Sequence, residues 1–151
     1  MSYFDILAES LEAKLQAGAI GEPVALRLYL QLSVDHGLLL PAGAGGVRLA
    51  ERWFAGPADI LYAQGSVASG YISLLVRARG RTALINAEVI WPSKPDAFVR
   101  LLLVGNNGSA EFEDSPTAIG RQADLTLPDW PSRERILDQI QRSLRRSAER
   151  G

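Results

Sequence analysis

A carboxylate set in an apolar stretch is the first residue in this sequence with a reason to do chemistry. Glu88 stands between Ala87 and Val89 in TALINAEVIW, residues 82–91, and a mid-strand carboxylate must be paired, or must face a cavity or a partner. Arg77 and Arg100 are its expected partners if its role is structural; otherwise it is a candidate general acid or base. His36 is the second candidate. It is the single histidine, and imidazole titrates where proton transfer near neutral pH needs it, although its place ahead of a glycine-rich segment also suits an ordinary loop histidine. The other carboxylates suited to acid–base work or a hard metal are Asp35, Glu51, Glu111, Glu113 and Asp114. Glu111 and Glu113 alternate beside a turn, as two exposed residues on one strand face do. Ser66, Ser69 and Ser73 lack a His–Asp set to activate them. Glu51 and Arg52 read as the solvated face of a short helix. Gly43-Ala44-Gly45-Gly46 lacks the acidic ribose ligand some twenty residues on that a dinucleotide loop would have, so it reads as a flexible connection.

Composition narrows the chemistry further. The 151 residues include no cysteine, which excludes disulfides, thiolate nucleophiles and cysteine-ligated metal centres. One histidine excludes a His-rich metal site, and neither a metal nor a cofactor is expected. Sixteen Lys and Arg oppose 17 Asp and Glu, a net charge of −1, with a pI near 5.8. Such a chain has no field to hold phosphate backbones or anionic lipid, so no nucleic-acid partner is expected. Arg133, Arg135, Arg142, Arg145 and Arg146 are diluted by Glu134, Asp138 and Glu149, the pattern of a solvated helix face. Asp5, Glu9, Glu12 and Lys14 interrupt the N-terminal segment, so it has no signal-peptide h-region. No apolar run reaches the roughly 18 residues of a membrane span. The expectation is a cytoplasmic protein off the membrane, one domain over 1–151, whose 47% hydrophobic content suffices for its own core.

The elements that would position these residues follow from periodicity. Phe4, Leu7, Leu11 and Leu15 predict an amphipathic helix over 3–17 with Gly18 as its C-cap. From Glu22 to Val34 the period becomes two: Val24, Leu26, Leu28, Leu30, Leu32 and Val34 face one way, and Ala25, Arg27, Tyr29, Gln31 and Ser33 the other. Asp35 to Gly46 reads as a loop and Val47 to Ala55 as a short helix. Four strands, 58–64, 70–79, 82–91 and 97–104, are expected as an antiparallel meander, with turns at 79–81 and 92–96. Asn106-Asn107-Gly108-Ser109 predicts a hairpin on residues that tolerate positive φ, with 110–113 returning. A weaker strand is expected over 119–127. A last helix, 132–149, carries the stripe Ile136, Leu137, Ile140, Leu144. The fold class is α+β: an open, mostly antiparallel sheet with helices on one face and the other free for dimerisation or ligand. That second face carries Arg27, Tyr29, Gln31, Tyr71, Ser73, Arg77, Asn86, Glu88 and Arg100, interleaved with Leu75, Leu84, Ile90 and Leu102. It is too apolar for bare water and too polar for a helix-covered core. Tyr29, Gln31, Tyr71, Asn86, Glu88 and Arg100 form the candidate ligand-binding set.

One further pattern runs through Ala17-Gly18-Ala19-Ile20-Gly21-Glu22-Pro23-Val24, the long strand, Gly45-Gly46, Leu49-Ala50-Glu51-Arg52-Trp53-Phe54-Ala55-Gly56, and Val104-Gly105-Asn106-Asn107-Gly108-Ser109-Ala110-Glu111-Phe112-Glu113-Asp114. In order and spacing this resembles the C-terminal domain of the Gfo/Idh/MocA oxidoreductases over about residues 11–116. The resemblance implies an α+β domain that supplies substrate contacts while its open sheet makes the subunit interface. It also implies a Rossmann domain for NAD(P) and a catalytic Glu-Lys-Pro motif, neither of which this sequence contains; Lys94-Pro95 echoes the latter but sits in an expected turn. The family's helix after the glycine pair carries Asp and His in a pattern close to D-x-G-x-H-x-x-D. Here Gly46 is followed by Val47, Arg48, Leu49, Ala50, Glu51 and Arg52, with Gly56 about ten residues early, so the catalytic helix is expected to be cut out. Three readings follow. The first is a non-dehydrogenase dimerisation or accessory subunit, homodimeric through the sheet face. The second is a small-molecule isomerase or cyclase using a cleft on that face, and the third is the small subunit of a split dehydrogenase completed by a Rossmann-domain chain.

Overall fold

The computed structural model describes residues 2–33, 35–89, 97–115, 125, 130 and 132–150. Helix α1 (Tyr3–Gln16) is opened by Ser2, whose hydroxyl accepts from the Phe4 N–H while Asp5 reaches back to the Ser2 N–H, and it closes at Ala17 ahead of Gly18 at φ +73°. Strand β1 (Pro23–Leu32) follows. A single turn of 3₁₀-helix (His36–Leu38) then leads into α2 (Leu39–Phe54), β2 (Ala58–Ser66), β3 (Tyr71–Ala78), β4 (Arg81–Val89), β5 (Phe98–Gly105), β6 (Ser109–Asp114) and α3 (Arg133–Arg150). The α+β class and the open sheet are as the periodicity predicts.

The topology is not a simple meander. The six strands run in the order β2-β3-β4-β1-β5-β6. β1 is inserted between β4 and β5, parallel to β4 and antiparallel to β5, so β4 and β5, consecutive in sequence, are separated in space. The β3–β4 connection lies within the expected turn 79–81 but is two residues long, since β4 already begins at Arg81: Arg79 and Gly80 both take positive φ, 52° and 74°, matching the twist of the strands they join. The 106–108 hairpin forms by a different device. None of its residues has positive φ. Instead it docks on the turn before β1, where Asn106 and Asn107 N–H donate to the Glu22 and Ile20 carbonyls at 3.1 and 2.9 Å and the Asn106 side chain accepts from the Glu22 N–H at 2.9 Å. The positive φ, 74°, falls on Gly21 opposite, where a Cβ would collide with the Asn106 side chain.

The segment expected as a flexible loop, 35–46, is mostly helix. α2 begins at Leu39 and runs through Pro41 and the glycine cluster to Phe54. Proline in the first turn costs no hydrogen bond, and the glycines serve packing. A Cβ at Gly43 would lie 2.9 Å from an Ile72 methyl, one at Gly46 would lie 2.8 Å from Ile85, and one at Gly45 would enter the Phe4 ring. α2 therefore approaches β3 and β4 below and α1 beside it more closely than any larger residue permits. Along its length α2 carries no Asp and no His. Beneath it, Leu26, Leu28, Leu30 and Leu32 of β1, Ile72, Leu74 and Val76 of β3, Ile85 of β4 and Val99, Leu101 and Leu103 of β5 are fully buried.

Helix α3 covers β2, with Ile136, Ile140 and Leu144 buried. Glu51 joins the two. Its carboxylate accepts from the Ala58 N–H at 2.8 Å and from the Trp130 indole at 3.2 Å, with Arg135 3.5 Å away. The residue read as solvated is thus a half-buried hub. The expected turn 92–96 and Val34, Ile90 and Trp91 lie outside the described residues. So does the weak strand 119–127 apart from Leu125, which is helical and buried. No described helix is long and apolar enough to cross a membrane.

Gly45→Ala is expected to lower stability by about 1–3 kcal/mol, the usual cost of overpacking a filled core. Gly-to-Ala at an open helical position would instead stabilise by up to about 1 kcal/mol. Urea unfolding of Gly45→Ala alone and with Phe4→Leu checks this, since shrinking the ring should recover part of the loss.

Candidate functional site

The face of the sheet turned away from the helices is crossed by three rows centred on β1. In the first, Gln31 stands beside Glu88 and Phe98, with Tyr71 beyond Glu88. In the second, Tyr29 stands beside Asn86 and Arg100, with Ser73 and Glu113 beyond. In the third, Arg27 stands beside Leu84 and Leu102, with Leu75 and Glu111 beyond. All six residues of the candidate ligand-binding set therefore share one face, in two adjacent rows. His36 does not. It is exposed on the 3₁₀ turn after β1, with its Nδ1 2.8 Å from the Val67 carbonyl in the β2–β3 turn.

Glu88 pairs with neither expected arginine. Its Oε1 accepts the Tyr29 hydroxyl and the Gln31 amide, the latter at 3.2 Å, and the same amide donates to the Tyr29 oxygen at 2.8 Å. Register explains the substitution of partners. Arg77 aligns with Thr82, three rows from Glu88. Arg100 lies across β1 and turns outward to Glu113, its Nε 2.9 Å from the carboxylate and its guanidinium 5.6 Å from the Phe98 ring centre. The three-residue circuit closes on itself. The Tyr29 hydroxyl donates once and accepts once, and its pKa is raised, chiefly by burial and then by the hydrogen bond to Glu88.

Beside this circuit the face sinks into a depression of about 470 Å³, lined by Arg27, Tyr29, Leu84, Asn86, Arg100, Leu102, Glu111 and Glu113 among others. Here the sequence reading fell short. Alternation puts Arg27 on this face without marking it as a ligand-binding residue, and Leu102, Glu111 and Glu113 reach the hollow because β5 and β6 lie on the far side of β1. The usable signal was Leu26-Arg27-Leu28, a long cation between leucines in the middle of the longest strand. Asn86 accepts the Ser73 hydroxyl at 2.5 Å, which occupies its carbonyl. Among the described residues no three His, Cys, Asp or Glu gather as a metal site would need.

Away from the open face, the Tyr3 hydroxyl donates to Asp114 at 2.7 Å and ties α1 to the end of β6. Burial and that contact push its pKa far up.

No protein-family model and no curated protein matches the sequence. Solved structures do match in shape. A probable dehydrogenase from Thermotoga maritima superposes with a TM-score of 0.57 at 15% identity, over 76% of this chain and 40% of that one. Scyllo-inositol dehydrogenase from Lactobacillus casei, solved with NAD(H) and scyllo-inositol, gives 0.57 at 10% identity, over 94% and 51%. An oxidoreductase from Pseudomonas syringae gives 0.51 at 14%, over 72% and 33%. The chain thus spans about half the length, or less, of these proteins.

Both raised phenols make stability depend on pH in one direction. An unfolded tyrosine releases its proton near pH 10, while folded Tyr3 and Tyr29 hold theirs to higher pH. Above about pH 10 the unfolded state therefore binds fewer protons, and stability falls as pH rises; below it these groups contribute no slope. Ultraviolet titration of phenolate should show late-ionising tyrosine in the native protein. Tyr3→Phe and Tyr29→Phe should each remove part of that late step and flatten the alkaline fall in urea-unfolding free energy.

Proposed function

Since the chain carries the fold of the C-terminal, non-Rossmann domain of the Gfo/Idh/MocA-type oxidoreductases, we propose that it acts as a non-dehydrogenase association module whose open sheet face pairs with a second copy of itself. The observation that carries this reading is the composition of the uncovered face. Tyr62 and Tyr71 are 48% and 41% exposed there, beside half-buried Leu75, Leu84 and Leu102. An apolar patch of this extent, crossed by polar groups, is the mark of an association surface. The charges suit self-pairing. Arg27, Arg77 and Arg100 are matched on the same face by Glu88, Glu111 and Glu113, so two copies present one another with both signs and no net repulsion. Six strands about 4.8 Å apart and about 3.4 Å per residue give a face on the order of 600 Å² in outline. With its relief, that approaches the roughly 800 Å² per partner of a standard interface.

The non-dehydrogenase part of the reading rests on residues. α2 offers no Asp or His for proton transfer at a carbinol.

Sedimentation velocity should show a dimer of the wild type in the micromolar range and a monomer for Leu75→Glu, with unchanged circular dichroism. A wild type that remains monomeric at high micromolar concentration overturns the pairing. NADH fluorescence titration should show no saturable binding; saturation near micromolar overturns the non-dehydrogenase assignment.

A further inference from the structure

We infer that the depression around Arg27 is a binding site for a small carboxylate with an apolar body. This site does not depend on the pairing proposed above. A census of hydrogen-bonding capacity on the face leads to it. The Tyr29 hydroxyl and Gln31 amide are spent on each other and on Glu88. Arg100 is spent on Glu113 and stacked on Phe98. The Ser73 hydroxyl goes to the Asn86 carbonyl, which leaves the Asn86 NH₂ as a donor. Arg27 makes no ion pair or side-chain hydrogen bond among the described residues.

What remains over the hollow is two donors, a guanidinium and an amide, with the Glu111 carboxylate beyond Leu102 as an unspent acceptor among the described residues. Their ligand must supply acceptors, and the planar fork of Arg27 matches the two oxygens of a carboxylate. The walls define the rest of the molecule. Leu84 and Leu102 flank Arg27 in the two neighbouring strands, so an apolar group attached to the carboxylate lies on leucine. At about 470 Å³ the hollow is of the size that holds small organic ligands. Glu111, on the far side of Leu102, rejects a second anionic group and favours a hydroxyl or amine there. That combination points to a monocarboxylate and away from a phosphate ester or a dicarboxylate.

Chemical-shift mapping on labelled protein tests this with benzoate, its neutral counterpart benzamide and inorganic phosphate. Benzoate at concentrations on the order of millimolar should shift the backbone amides of Arg27, Leu84, Asn86 and Leu102 in a saturable way, and benzamide should not. Arg27→Gln should abolish the shifts, and Arg27→Lys, which keeps the charge but not the fork, should weaken binding about tenfold. Equal response to benzoate and benzamide, survival of the shifts in Arg27→Gln, or binding of phosphate in preference to benzoate would each overturn the proposal. Sedimentation of the same samples reads pairing separately. Saturable benzoate binding to a monomer would leave this site standing while the pairing fell, and a dimer blind to benzoate would do the reverse.

Discussion

Strand β1 is hydrogen-bonded on both sides and buried on one face, and its register decides where every other side chain of interest stands. A slip of one residue would turn Arg27, Tyr29 and Gln31 under α2 and push Leu26, Leu28 and Leu30 into water. Burying the Arg27 guanidinium without a partner would by itself cost several kcal/mol. The start of the strand is correspondingly pinned from both neighbours. On the β4 side, Arg81 donates to the Pro23 carbonyl at 2.9 Å and reaches Glu22 at 2.8 Å. On the β5 side, the 106–108 turn binds the backbone of residues 20–22, an approach that needs glycine at 21 and 105, where a Cβ would strike the Asn106 side chain and the Ile20 carbonyl. The motif that carries the family resemblance, glycine before the long strand and Gly-Asn-Asn-Gly after the fifth, is thus a register clamp.

The helical layer obeys the same constraint from above. The parallel β1–β4 pair presents a low surface to α2, because β4 contributes small residues at Ala83 and Ala87 beside Ile85, and only a closely seated helix fills the space above them. The glycines at 43, 45 and 46 let the helix sit down on that surface, and α1 closes over Gly45 with Phe4. Glu51, at the far end of α2, then holds the β2 backbone and α3 at once. Among the described residues all three helices pack on this one side of the sheet.

Much of this was legible from periodicity. Period-two alternation on 23–32, 71–78, 81–89 and 98–105 assigns each side chain to a face without knowledge of strand order, so Tyr29, Gln31, Tyr71, Asn86, Glu88 and Arg100 could be grouped correctly. Alternation says nothing about which strands are neighbours, and the partners of Glu88 depended on that. Arg77 and Arg100 share its face, but Arg77 is three rows along and Arg100 lies on the far side of β1, leaving Tyr29 and Gln31 within reach. The glycine cluster misled for a related reason. Glycine lowers helix propensity wherever it stands, and only the tertiary fit against Ile72, Ile85 and Phe4 reveals that here it is selected for closeness and not for flexibility. Glu51 reads as solvated because it stands beside Arg52 on a short amphipathic helix; its partners, Ala58, Trp130 and Arg135, come from segments later in the chain.

The closed circuit of Glu88, Tyr29 and Gln31 also shapes the electrostatics of the face. By holding Glu88 at one end of the sheet it keeps the one central carboxylate away from Arg27, while Glu113 is drawn to Arg100. The middle of the face is left with a cation among leucines. A second copy laid over this surface would desolvate that guanidinium, and an unneutralised buried charge is strongly unfavourable. Two arrangements relieve it: a glutamate of the second copy, or a bound carboxylate. In the second case ligand and pairing are linked, because an anion that neutralises Arg27 lowers the cost of covering it, and a covered site holds the anion in a medium of lower dielectric. By that reciprocity, whatever strengthens one strengthens the other by the same factor. On the proposed reading, pairing and carboxylate binding would both act through Arg27, which makes no ion pair among the described residues.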